Sequence, residues 1–110
     1  RGCSNSIRGL FGGGYQPSPY VSQIDYLTIA TTGNSTDFGN LSVGSRYGAS
    51  CSSPTRGIFG IGDTPSPGGL LNTIEYVTIL TQGNAVDFGD LLTGTSGYVA
   101  AATSNAHGGL

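Results

Sequence analysis

The chain has no Lys, no Trp and no Met, and only 10 of its 110 residues are charged: four Arg, five Asp and one Glu. So few cations, dispersed along the chain, exclude a basic footprint able to neutralise a row of nucleic-acid phosphates. Ordinary disorder is excluded too, because it rests on high charge and lacks alternating apolar segments. No apolar run approaches the ~18 to 20 residues of a membrane helix, and no signal peptide opens the chain, so no membrane span is expected. The missing Met, at position 1 included, implies a processed chain or a piece of a longer one. What the chain has instead is 20 Gly, 13 Ser and 12 Thr, an unusual share for a compact enzyme.

A tandem repeat organises these residues. Arg8 to Pro19 (RGLFGGGYQPSP) lies over Arg56 to Pro67 (RGIFGIGDTPSP) at an offset of 48, with eight of twelve positions identical. Ile24 to Leu41 (IDYLTIATTGNSTDFGNL) lies over Ile74 to Leu91 (IEYVTILTQGNAVDFGDL) at an offset of 50, with eleven of eighteen identical. The slip falls beside Gly68-Gly69, as an insertion in a surface loop would. A third copy begins at Ala102 to Leu110, laid over Cys3 to Phe11. The chain therefore divides into 1–55, a first repeat with the start of a second unit, and 56–110, a second repeat with the start of a third. Repeats of ~40 to 50 residues belong to propellers, helical solenoids or arrays.

Helical repeats are excluded, since Gly interrupts nearly every segment and no 3.6-residue apolar period is sustained. Each unit reads as four short strands separated by turn residues. In the first unit these are Leu10 to Gly13, Gln23 to Ala30, Asp37 to Val43 and Tyr47 to Ser52; in the second, Ile58 to Ile61, Thr73 to Leu80, Asp87 to Thr93 and Tyr98 to Thr103. Side chains grow from the small Gly48, Ala49, Ser50 and Cys51 to the Ile, Tyr, Leu and Phe of later strands. That gradient fits a wedge, narrow at a propeller axis and broad at its rim. The Ile24 strand is apolar on both faces, as a sheet between two other sheets requires. The expectation is an all-β chain of about two four-stranded antiparallel propeller blades. Two blades cannot close a ring of 4 to 8, so other copies or a longer chain must complete it.

The order of a small-residue strand, RGLFGGG, IDYLTIATTGN and DFGNL resembles a kelch blade. The aromatic of the fourth strand is Phe38 or Phe88 rather than Trp, and the glycine doublet becomes Gly60-Ile61-Gly62 in the second unit. The phrases SSPTRGIFG, NTIEYVTILTQGNAVDFGDL and IDYLTIATTGNSTDFGNL are similar to the tandem repeats of kelch-like virion structural proteins of marine tailed phages, cyanophages especially. The resemblance implies a place on a virus particle or appendage, hence a virion or extracellular location, and brings no catalytic residues with it.

The candidate chemistry is sparse. Asp37-Phe38-Gly39 and Asp87-Phe88-Gly89 match the tripeptide of a kinase metal loop, yet the chain has no Lys for the phosphates. A motif recurring once per unit is structural: Asp accepts turn amides, Phe fills the gap between blades and Gly permits the bend. Arg8 and Arg56 begin equivalent strands and are expected to bond loop carbonyls or the repeated Asp. Asp87 and Asp90 offer hard oxygens, but far fewer than the 6 to 8 that Ca²⁺ takes. With a single His107 besides, no metal and no cofactor are expected. Cys3 and Cys51 are equivalent and align with Ala102, so they read as small buried thiols rather than a bridge.

One binding site can be constructed. Tyr15 and Tyr20 flank Pro17-Ser18-Pro19, and Asp63 is the counterpart of Tyr15. Aromatic plates beside polar groups suit sugars, so Tyr15, Tyr20 and Asp63 are candidate contacts for a cell-surface glycan. The sequence thus points to a non-enzymatic structural or adhesion module that forms a homo-oligomer or repeat array, the alternative being a carbohydrate-binding propeller lectin.

Overall fold

The computed structural model describes residues 1–17, 19–65, 69–92 and 101–104. The strands among the described residues are β1 (Gly2–Ser4), β2 (Arg8–Gly14), β3 (Val21–Thr28), β4 (Thr36–Asn40), β5 (Ala49–Ser52), β6 (Arg56–Asp63), β7 (Leu70–Thr78) and β8 (Val86–Asp90). They form two four-stranded sheets, ordered β1-β2-β3-β4 and β5-β6-β7-β8. Every pairing is antiparallel. The chain is therefore all-β with two antiparallel sheets, and among the described residues no helix is long and apolar enough to cross a membrane.

Both sheets use one register. Leu10 faces Tyr26 and Gly12 faces Ile24 in the first; Ile58 faces Tyr76 and Gly60 faces Ile74 in the second. Their registers also break at equivalent places, between Gly12 and Gly14 and between Gly60 and Gly62, then again after Ile24 and after Ile74. Bulges of this kind bend a strand and increase its twist. Their recurrence shows that the repeat encodes the irregularities as well as the ladders.

Several strand limits differ from those read off the sequence. β2 and β6 run beyond Leu10 to Gly13 and Ile58 to Ile61 because glycine carries ladder hydrogen bonds while leaving no apolar alternation to read. β3 and β7 begin earlier than Gln23 and Thr73 and stop at Thr28 and Thr78, where the amides of Thr31 and Thr81 turn back onto those carbonyls. β4 ends at Asn40 rather than Val43, with the Leu41 amide still donating to the Ser22 carbonyl of β3 at 2.8 Å while its side chain enters the core. β8 ends at Asp90, the Leu91 amide donating to the Asn72 carbonyl at 2.8 Å, and Thr93, the expected end of that strand, lies outside the described residues. β5 starts at Ala49 rather than Tyr47, which holds a left-handed φ of 56°. Of the strand expected over Tyr98 to Thr103, 98–100 lie outside the described residues and 101–103 carry no strand.

One core lies between the sheets. Leu10, Ile24, Phe38 and Leu41 come from the first half, Phe59, Val77 and Ile79 from the second. Fully burying such a side chain is worth about 1.5–3 kcal/mol, so this layer is the main stabilising term. Two glycines let it close. A Cβ at Gly12 would stand 3.0 Å from the Phe59 ring, and one at Gly39 would run into the carbonyl of Gly83.

Polar bonds fix the same junction. The Ser50 and Ser52 hydroxyls each donate at 2.6 Å to the carbonyls of Gly2 and Ser4, laying β5 beside β1. At the opposite sheet edge the β7–β8 loop reaches β4: the amides of Gly83 and Ala85 donate to the carbonyls of Phe38 and Asn40, both at 2.8 Å. The Asn40 amide in turn donates to Asn84 Oδ1 at 3.0 Å, and Gln82 Nε2 donates to the Asp37 carbonyl at 2.8 Å. Glu75, buried in the second sheet, accepts the Ser42 amide at 2.9 Å. A buried carboxylate needs such a partner.

Candidate functional site

The two faces turned away from the junction form the larger candidate. Phe59 is 1% exposed, whereas its repeat counterpart Phe11 is 55% exposed; Ile79 and Ile29 stand at 0% and 51%. On the other sheet Phe38 is 3% exposed and its counterpart Phe88 is 55%. In each pair the residue type is unchanged, so the difference comes from what lies opposite. The first sheet thus presents Phe11, Leu27 and Ile29, and the second presents Ile58, Ile74, Phe88 and Leu91. Beside Ile58, Gly60 and Ile74 lies a cleft of about 190 Å³, bordered by Ala101 and Ala102. Exposed apolar surface of this kind marks an interaction site.

The smaller candidate is polar and aromatic. Tyr15 and Tyr20 lie in the β2–β3 loop, with ring centroids 5.6 Å apart at 62°. Arg46, in the connection from β4 to β5, sets its guanidinium carbon 5.2 Å from the Tyr15 ring, 5.0 Å from Tyr20 and 4.9 Å from Tyr47. Its Nε donates at 2.9 Å to Oδ2 of the buried Asp63, which ends β6. The backbones of Arg46 and Asp63 exchange both N–H···O bonds as well. The bond from Asp63 pushes the Arg46 pKa up, so the cation is held at any ordinary pH. Tyr47 occupies its left-handed conformation inside this cluster, at a cost of about 1–2 kcal/mol for a residue with a Cβ. The three residues expected to contact sugar, Tyr15, Tyr20 and Asp63, therefore meet around one guanidinium. Sequence reasoning missed Arg46 and Tyr47; the available signal was that Arg46 has no Arg at the equivalent Ser96.

The remaining candidates are spread along the repeat. Arg8 donates to the Ile79 carbonyl at 3.1 Å and lies over the Tyr26 ring at 4.5 Å. Arg56 lies over Tyr76 at 4.7 Å. Asp87 accepts the Gly89 amide at 3.0 Å, and Asp37 and Asp87 are both exposed on edge strands β4 and β8. Phe38 and Phe88 meet Tyr26 and Tyr76 edge-on, with centroids 5.9 and 6.1 Å apart. Cys3 and Cys51 are free and half-buried. Burial, with a smaller effect of Cys51, pushes the Cys3 thiol up to about 11. Among the described residues no group of three or more His, Cys, Asp and Glu is placed to hold a metal ion. His107 lies outside the described residues.

No protein-family model matches the chain, and no curated protein matches it.

Proposed function

We propose that this chain is a non-enzymatic assembly module, a pair of kelch-like propeller blades whose two apolar faces are covered by further blades, and that it serves on a phage virion or fibre-like appendage. One observation carries the reading: equivalent residues are buried at the junction and bare at both ends, Phe38 against Phe88 and Ile79 against Ile29. A sheet that is apolar on both faces is incomplete until both are covered, which is the condition of a repeat array. The resemblance of the repeats to those of phage particles supplies the virion, and hence extracellular, setting; host-surface adhesion belongs to the same reading. Electron micrographs of the concentrated protein test it. Rings or rods are expected, and a uniform field of particles near 41 × 30 × 21 Å, the extents of one chain, would overturn it.

A second reading, a carbohydrate-binding lectin, is supported by the tyrosines gathered round Arg46. Tyr15 and Tyr47 remain exposed there, so each offers a ring to a sugar beside a fixed cation. Binding on a glycan array that disappears in Tyr15→Ala and Tyr47→Ala supports this reading. Signal at background for the unaltered chain removes it.

A further inference from the structure

The two bare faces are each other's mates. At the internal junction, the second sheet's Phe59, Val77 and Ile79 pack on the first sheet's Leu10, Ile24, Phe38 and Leu41. The first set recurs in the repeat as Phe11, Leu27 and Ile29, which form the bare face of the first sheet. The second set recurs as Ile58, Ile74, Phe88 and Leu91, which form the bare face of the second. We propose that a second copy of this chain docks head to tail, its first sheet seated on the second sheet of its neighbour, reproducing the internal junction between copies. The proposal rests on the assembly reading above and names the partner that reading leaves open.

Three details support a second copy as the occupant. Phe59 packs over Gly12 at the junction, and in the docked pair Phe11 would lie over Gly60, which lines the cleft of about 190 Å³. A cavity of about 150 Å³ is enough for a benzene ring. Gly39 is crowded by the Gly83 carbonyl, whereas at their counterparts Gly89 and Gly33 nothing lies within 4 Å of where a Cβ would stand, so both halves of that close approach are open. The polar bonds also carry over. The amides of Gly33 and Ser35 would donate to the carbonyls of Phe88 and Asp90, and Asn34 stands where Asn84 accepts an amide. Arg56 would reach the Ile29 carbonyl as Arg8 reaches that of Ile79. Residues 101–104, exposed and in no strand, lie beside β5, and β1 of the incoming copy would have to displace them there.

Head-to-tail contact differs from a two-fold dimer in that each copy uses two different surfaces, so association continues until a ring closes or a filament grows. Sedimentation velocity of the full chain tests this with Phe88→Arg, which blocks one face, and Ile29→Arg, which blocks the other. Unaltered chain should grow beyond a dimer with concentration. Each variant alone should remain at the 11.1 kDa monomer. An equimolar mixture should form a dimer through the one intact pair of faces and go no further. The milder Phe88→Ser and Phe11→Ser repeat the experiment, with thermal unfolding confirming that each variant is folded. Association of either Arg variant alone at unaltered strength overturns head-to-tail docking while leaving an assembly role standing. Unaltered chain that stays monomeric at every concentration overturns both.

Discussion

At the residue scale, position relative to the junction decides what a side chain is worth. Phe38 and Phe88 have the same neighbours in sequence and the same edge contact with a Tyr, but only Phe38 is covered. Phe38→Ala should cost about 3–5 kcal/mol, the range for emptying a buried aromatic site. Phe88→Ala in the monomer should stay within about 0.5 kcal/mol. Urea unfolding of the two variants, at a concentration where the chain is monomeric, checks the contrast. Cys3 gives a second case. Its thiol titrates at about 11 in the folded chain against 9.0 unperturbed, so the folded state holds its proton where the unfolded state has lost it. Stability from this group is complete below pH 9.0 and falls as pH rises from there through about 11. Near pH 8 its thiolate fraction, and with it the alkylation rate, should be roughly 100-fold below that of the unfolded chain. Mass-resolved iodoacetamide labelling measures this at Cys3 separately from Cys51.

At the scale of elements, the repeat makes most strands legible and hides their ends. Close copies such as IDYLTIATTGN and IEYVTILTQGN locate β3 and β7, because alternation with β-branched and aromatic residues is a local signal. The full length of β2 and β6 is not readable, since Gly12, Gly13 and Gly14 carry no side chains to alternate. The turn of the Leu41 side chain into the core is equally hidden, because it answers to a core shared with the other sheet. Glycine spacing becomes meaningful only once the partner strand is known. A Cβ at Gly57 would lie 2.8 Å from Cys3 Sγ, across the gap between β6 and β1. Gly57→Ala should therefore destabilise by about 1–3 kcal/mol. Combined with Cys3→Ala, which removes the sulfur, it should recover about 1 kcal/mol of that loss. A double-mutant cycle by urea unfolding reads the coupling; additive effects would place the clash elsewhere.

At the scale of the whole molecule, neither sheet can be stable by itself, because the core belongs to both. Leu10, Ile24 and Phe38 are covered by Phe59, Val77 and Ile79, and the edges are tied by Ser50, Ser52, Gly83 and Ala85. A fragment of residues 1–48, which contains all of the first sheet, should show no cooperative unfolding transition by circular dichroism, since a small sheet with both faces wet buries too little apolar surface. That the chain is a repeat of antiparallel strands, apolar on two faces and short of charge, follows from the order of its residues alone, because strand alternation, turn residues and self-similarity are local properties. Which copy of each residue is buried, and that Tyr15, Tyr20, Tyr47 and Asp63 meet at Arg46, depends on how the two sheets pack. Identical side chains in identical local settings take opposite roles according to whether another sheet lies against them, and a linear repeat carries no mark of that difference.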